Sequence, residues 1–346
     1  MFAVEDAGAG EQFMAVKPWI GAIKEPQNRT LLIFSLTFIS KDNFADSSPP
    51  DVSYTLEYVY GYRCEDSRQN VFFNQAGQAV YMTAALGVIL NMDNNTQQFF
   101  GGGQVENKAK NVSDDTKCHT DDITSIAMSS DRTFVASGQV GSAPVAFIWN
   151  ALDGSLMKRF KLAKGARGVD SIGISGDGTK VAMVDRSDNH NVYVFDMQSG
   201  VGSSASGDTN KIFDLAFSAR PGDNSFVTVG AKHIKFWTTD LQSKRGIFGQ
   251  SGEQTSFSCA AYDDQGVAYT GGANGSIYVR NGNTLTSTFK AHNGGFVGAM
   301  RFGNGKLYSG GKDGFVRIWN TATQTEESNI DFSGVLIRAI DVLNGS

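Results

Sequence analysis

Serine, histidine and aspartate gather at one point of the chain, as His292, Ser309 and Asp313, with Trp319 just beyond them. Those residue types could build a nucleophilic relay, in which a histidine takes the serine proton and an acid orients the histidine. Such a relay is defined by geometry and roles, not by residue types alone. A partial copy, His119, Ser137 and Trp149, occurs earlier with no aspartate in its turn. A constellation repeated incompletely reads as a structural device rather than as an active site. His190 and His233 have no partner at metal-ligand spacing and belong to no HExxH pattern, so each reads as a loop or strand-surface residue. The glycine strings GGGQ at 101 and SGDGTK at 175 lack the GxxxxGK[ST] spacing and precede no helix whose N-terminus could hold a phosphate. The expectation is no enzyme, no metal and no cofactor.

A second constellation is electrostatic. Lys158, Arg159, Lys161, Lys164 and Arg167 place five basic residues within ten positions with no acid among them. One reading is a solvated edge strand on which lysines block stray pairing. The other is a salt-sensitive contact to an acidic surface. Lys108, Lys110 and Lys117, and then Lys232, Lys235, Lys244 and Arg245, are weaker candidates of the same kind.

Bulk properties narrow the class. The chain has 346 residues, 40% of them hydrophobic and 11% aromatic, enough for a substantial core. Its 40 glycines against 6 prolines suit many tight turns better than disorder. A net charge of −5 argues against a general nucleic-acid binder, so an acidic partner would be met by local basic patches. Cys64, Cys118 and Cys259 are odd in number, far apart and without CxxC spacing, which predicts reduced thiols in an intracellular protein. The N-terminus carries early acids and no long apolar core, unlike a signal peptide. The longest apolar run, LLIFSLTFIS at Leu31–Ser40, falls short of the ~20 residues needed to cross a membrane, so no membrane partner is expected.

The elements that must position these residues are short strands. Residues 1–14 read as a flexible arm, 15–62 as a lead-in with Trp19 and a strand over Leu31–Ile39, and 63–346 as a repeat array. The first unit shows apolar runs at Val71–Phe73, Ala79–Ala84 and Val88–Leu90. The second shows four, at Ile123–Met128, Phe134–Ser137, Val145–Trp149 and Leu156–Phe160. Asp153-Gly154, Asn281-Gly282, Asn304-Gly305 and Asp313-Gly314 supply the positive φ angles of two-residue hairpins. Aligning the position before each unit's turn gives Leu90, Trp149, Phe195, Trp237, Val279 and Trp319, at gaps of 59, 46, 42, 42 and 40 residues. The last four gaps match the period of about 40–45 residues of WD-repeat propeller blades. A polar insertion at Gly101–Lys117 stretches the first.

Six units are complete, and a seventh begins at Gly334 (GVLIRAIDV) without finishing. The expected fold is therefore an all-β WD-repeat β-propeller of seven blades, the seventh incomplete or completed by N-terminal strands. Leu31–Ile39 and Tyr54–Tyr60 would pair beside Val335–Val342, with Tyr58, Tyr60 and Tyr62 as an aromatic seam. The alternative is a ring of six blades with the N-terminal strands across one face.

From Glu57 to Asn91 the sequence EYVYGYRCEDSRQNVFFNQAGQAVYMTAALGVILN, followed by TQQFF, resembles the hydrophobic motif of the EMAP-like (echinoderm microtubule-associated protein-like) family. In that family the motif precedes the first of two WD-repeat propellers. AVKPWIGAIKEP at 15–26 is similar to the family's lead-in, and DRSDNHNVYVFD, AKHIKFWTTD, KRGIFG and KAHNGGFVGAMR are similar to successive blades. The motif continues to about residue 91 as the first blade, and the resemblance runs from about 16 to 340. It implies that His292, Ser309, Asp313 and Trp319 form a buried network tying adjacent strands, with His119, Ser137 and Trp149 as its partial copy. It also implies a non-enzymatic microtubule-associated protein that binds tubulin or an axonemal complex, in the cytoplasm and cytoskeleton. The competing class is a general WD-repeat scaffold or adaptor for another intracellular complex.

Three departures stand out: no N-terminal coiled coil, the insertion at Gly101–Lys117, and no second propeller. A propeller without its own oligomerisation helix would hold a lattice weakly unless other proteins fix it. That favours a built-in structure such as the axoneme of a cilium.

Overall fold

The computed structural model describes residues 56–102, 116–249 and 252–343. It shows 24 strands in six antiparallel sheets of four, each a meander in chain order. Blade 1 is β1 (Val71–Phe73), β2 (Ala79–Thr83), β3 (Leu86–Asn91) and β4 (Thr96–Phe100). Blade 2 is β5 (Ile123–Met128), β6 (Phe134–Gln139), β7 (Val145–Asn150) and β8 (Leu156–Lys161). Blade 3 is β9 (Val169–Ile174), β10 (Lys180–Asp185), β11 (Val192–Asp196) and β12 (Gly202–Ala205). Blade 4 is β13 (Ile212–Phe217), β14 (Phe226–Gly230), β15 (His233–Trp237) and β16 (Ser243–Arg245). Blade 5 is β17 (Phe257–Tyr262), β18 (Val267–Gly272), β19 (Ser276–Asn281) and β20 (Thr284–Lys290). Blade 6 is β21 (Val297–Gly303), β22 (Lys306–Gly311), β23 (Phe315–Asn320) and β24 (Thr325–Asp331).

Burial follows radial position. The second and third strands of blades 2 and 3 are almost wholly buried, whereas β24 is exposed at all seven residues. The apolar side chains form five clusters, one between each pair of successive blades from 1/2 to 5/6. The turns are as tight as the sequence demands. Asn304 (φ 51°) and Gly305 (φ 72°) both take left-handed backbone, the geometry of a two-residue hairpin matched to strand twist. A register shift recurs near the start of the innermost strand in blades 2 to 6 and bends each of them.

Among the described residues the ring has six blades, not seven. Val335–Val342 forms no strand, because its hydrogen bonds go to scattered backbone and side-chain partners rather than to one continuous ladder. Gln69 Oε1 accepts from the Ile340 N–H (2.9 Å), and the Gln69 N–H donates to the Arg338 carbonyl (3.0 Å). The Asp341 carboxylate accepts from the Phe73 N–H (2.9 Å), Arg132 Nη1 (2.6 Å) and Arg301 Nε (3.3 Å). Ile337 lies so close on Gly298 and Gly310 that a Cβ on either glycine would collide with it. Residues 335–343 thus form a strap between blade 6 and blade 1, where the other blades meet directly.

The proposed aromatic seam is elsewhere too. Val59 and the Gln97 side chain exchange two hydrogen bonds (2.7 and 3.1 Å), and Tyr58 Oη donates to Asn95 (2.9 Å), so this segment runs beside β4 of blade 1. Tyr58 and Tyr60 rings sit 4.9 Å apart, and Tyr62 meets Tyr81 of β2 edge-on at 5.9 Å. Tyr58, Tyr60 and Tyr62 therefore cover blade 1 and do not join blade 6 to it. Leu31–Ile39 and Tyr54 lie outside the described residues.

Candidate interaction site

The histidine constellation is a directional hydrogen-bond chain in the core. In blade 6, Trp319 Nε1 donates to Ser309 Oγ (2.8 Å), that hydroxyl meets His292 Nε2 (2.8 Å), and His292 Nδ1 meets Asp313 Oδ1 (2.9 Å). In blade 2, Trp149 Nε1, Ser137 Oγ and His119 Nε2 form the same chain (2.9 and 2.7 Å). Gln139 Oε1 there takes the aspartate's place, 2.9 Å from His119 Nδ1. Both serines and both histidines are buried at 0–2% exposure, so no substrate reaches either hydroxyl. Burial pushes His119 down to about 4 and also lowers His292, against the pull of Asp313. Neutral, sealed imidazoles suit cross-strand pinning and not proton transfer to a solute.

His233 departs from its expected surface position. It is 2% exposed in blade 4, where Trp237 Nε1 donates to Thr228 Oγ1 (2.8 Å) and Thr228 Oγ1 meets His233 Nε2 (2.8 Å). His233 Nδ1 meets Asp208 Oδ2 at 3.0 Å. The acid here precedes the innermost strand and the histidine opens the third, so the two have exchanged places relative to blade 6. Asp208 is pushed up by its burial, yet hydrogen bonds from the Asn210 N–H and from His233 hold it down at about 2. His190 is a loop residue whose Nδ1 meets the Asp208 carbonyl (3.1 Å).

Blade 5 corrects the repeat alignment by one residue. Ala268 faces Arg280, as Leu307 faces Trp319, so Arg280 rather than Val279 stands at the tryptophan position. Arg280 is fully buried and lies over Phe248 and Phe257 at 4.8 and 5.9 Å. Its Nη1 donates to the Ile247 carbonyl (2.8 Å), while Nε and Nη2 have no partner.

The basic run lies on β8, the open edge of blade 2, and on the loop into blade 3. The strand divides it. Lys158 leans toward blade 3 and donates to the Gln198 carbonyl (2.6 Å), on the side where Phe160 stacks on Phe195. Arg159 and Lys161 alternate to the other face, and each has a partner of its own. Lys161, Lys164 and Arg167 are exposed, and Arg167 makes an open ion pair with Asp188 (2.8 Å). Lys108 and Lys110 lie outside the described residues, Lys117 is exposed, and Lys244 and Arg245 lie on the exposed β16. Lys235 is tied to the Gly207 carbonyl, near Asp208.

The feature that sequence reasoning missed is the hub of the ring. Ser67, Arg68 and Gln69 each donate to the backbone carbonyl of a different innermost strand: Thr124 in blade 2 (3.0 Å), Ser258 in blade 5 (3.3 Å) and Met300 in blade 6 (2.7 Å). They cross one end of a central cavity of about 940 Å³, whose wall also carries Asp170, Arg186, Asp214, Arg301 and Arg338. Asp170 pairs with Arg186 (2.7 Å), and burial raises Asp214 to about 6, against two backbone N–H bonds and the field of Arg68. No group of three or more potential metal ligands, and no helix long and apolar enough to cross a membrane, occurs among the described residues.

Comparison with known proteins agrees with this architecture. The model of the echinoderm microtubule-associated protein first beta-propeller matches residues 117–342, and the HELP motif matches residues 49–88. The chain is 47% identical to the "Ciliary WD repeat-containing protein ctxp80" of Euplotoides octocarinatus, over 99% of this chain and 47% of that protein. It is 30% identical to the "77 kDa echinoderm microtubule-associated protein" of Strongylocentrotus purpuratus, over 80% of this chain and 40% of that protein. It is 28% identical to human "Echinoderm microtubule-associated protein-like 4", over 81% of this chain and 30% of that protein. The chain spans less than half the length of each. A HELP motif feeding a six-bladed ring, matched by that family's propeller over most of its length, makes this chain a member of the echinoderm microtubule-associated protein family.

Proposed function

We propose that this chain is a non-enzymatic, microtubule-associated propeller that docks on tubulin or on an axonemal complex of the cilium through the basic edge of blade 2. The observation that carries the reading is its likeness, along nearly all of its length, to a protein named for the cilium, within a family named for microtubules. The exposed side chains of Lys161, Lys164 and Arg167 supply the local positive charge that a chain of net charge −5 needs to meet an acidic lattice. Docking of this kind weakens as salt rises.

Co-sedimentation with taxol-stabilised microtubules over a salt series tests it. The chain should pellet at low salt and leave the pellet as salt increases. The triple variant Lys158→Glu, Arg159→Glu, Lys161→Glu should bind less and lose the salt dependence while its circular dichroism stays native. Absence from the pellet at low salt would favour a general scaffold for another complex. Binding untouched by the triple reversal would leave β8 as a guarded edge strand only.

A further inference from the structure

Arg68 and Arg338 of the central cavity have no carboxylate partner among the described residues. Arg68 Nη1 donates to the Ser258 carbonyl, and the guanidinium lies over the rings of Phe213 (5.5 Å) and Phe296 (5.4 Å). Among the described residues it forms no ion pair, and the Arg338 side chain makes neither an ion pair nor a hydrogen bond. Backbone contacts lock the two together, since the Gln69 N–H donates to the Arg338 carbonyl (3.0 Å). Three other arginines of the wall are matched: Arg132 and Arg301 share Asp341, and Arg186 holds Asp170. At the same end Asp66 is tied to Arg63 (2.6 Å), Glu65 is exposed, and Lys211 adds a further cation. The acid whose field reaches Arg68 is Asp214, whose two oxygens accept from the Ala260 and Leu215 N–H groups (2.9 and 2.8 Å). Arg68 and Arg338 both line this cavity, on segments joined by the Gln69–Arg338 backbone bond; burial lowers the Arg68 guanidinium, and the positive field of Arg338 pushes it the same way. Two adjacent cations in a partly dry cavity are costly until an anion joins them.

We propose that this end of the central cavity is a carboxylate-binding site, in which Arg68 and Arg338 together hold an acidic side chain of an extended partner peptide. Guanidinium forks suit planar carboxylates. The Phe213 and Phe296 rings beside Arg68 offer an apolar flank for the methylenes of a glutamate. A volume of about 940 Å³, reaching from Asp66 to the Asn304–Gly305 turn, suits a peptide better than a lone small anion. The inference rests on the proposed function only for the acidity of the partner, and its site is separate from β8.

The test is fluorescence-anisotropy titration of the intact chain with a labelled hexaglutamate peptide. Arg338→Gln removes a side chain with no hydrogen bond or ion pair among the described residues, and should weaken binding at least tenfold, about the worth of one charge-assisted hydrogen bond. Arg338→Lys should recover part of the loss. The Lys158→Glu, Arg159→Glu, Lys161→Glu variant should bind the peptide within twofold of the wild type, whatever it does on microtubules. The inference is overturned if hexaglutamate does not bind, or if Arg338→Gln binds it as well as wild type. It is overturned equally if the β8 reversal abolishes binding, or if equimolar inorganic phosphate displaces the peptide.

Discussion

Replacing Arg280 with methionine should make the protein more stable, although it deletes a hydrogen bond and a charge. The guanidinium is fully buried at the position where Trp149, Trp237 and Trp319 stand in blades 2, 4 and 6. Burial drives it down to about 10 from 12.5, a gap worth about 3 kcal/mol. A base held below its ordinary value in the folded state weakens folding at every pH below that value. The penalty is therefore present in full at neutral pH and is relieved only above pH 10. Against the relief stand the bond to the Ile247 carbonyl, about 1 kcal/mol, and the ring contact with Phe248, about 1 kcal/mol. Ile247 is 51% exposed, so water can take over its carbonyl. Methionine keeps the unbranched stem and fills uneven space. The net gain is about 1 to 2 kcal/mol, which raises a urea midpoint by roughly 0.3–0.7 M for a slope near 3 kcal/mol per M. Equilibrium urea unfolding at pH 7 reads it directly. A midpoint below that of the wild type would show that the guanidinium contacts outweigh its desolvation, and would refute the reasoning.

Three further outcomes follow from the same contacts. Ser309→Ala leaves Trp319 Nε1 and His292 Nε2 without partners in the core, and should cost about 2–3 kcal/mol by urea unfolding. His119 stays neutral in the fold, whereas in the unfolded chain it protonates near 6.5; its contribution is complete above 6.5 and drains away toward pH 4, up to about 3 kcal/mol. His119→Gln should flatten the pH dependence of the urea midpoint by that one group, and an unchanged slope would discount it. Asp341→Asn strips the shared charge from Arg132 and Arg301 and should cost about 3 kcal/mol, with new protease cleavage within 335–343.

Legibility from the sequence tracked how local each determinant is. The strands of blade 2 fall within two residues of their predicted limits, because short apolar runs and the turn residues that bound them are written within the strands themselves. Val335–Val342 is apolar like a strand, but hydrogen bonds that hold it come from Gln69, some 270 residues away. Arg280 hid because a repeat search follows apolar residues, and Val279 was the nearest one. His233 hid because its acid, Asp208, stands where blade 6 has its histidine, and a fixed-order motif does not allow the exchange. The hub had no sequence signal. Ser67-Arg68-Gln69 is an unremarkable polar break until the ring closes around it.

That hub also sets the order in which the molecule can assemble. Blades 2 to 5 each dock on the blade that follows, so their contacts can form progressively as the ribosome releases them. Ser67, Arg68 and Gln69 must wait for carbonyls 57, 190 and 231 residues downstream. Closing loops of that size delays the final step more than it weakens the product, since closure entropy grows only with the logarithm of length. Until Asp341 emerges and takes Arg132 and Arg301, the first blade is a provisional edge, open to other strands in a crowded cell. The strap that follows blade 6, not the strands of blade 1 themselves, makes blade 1 safe.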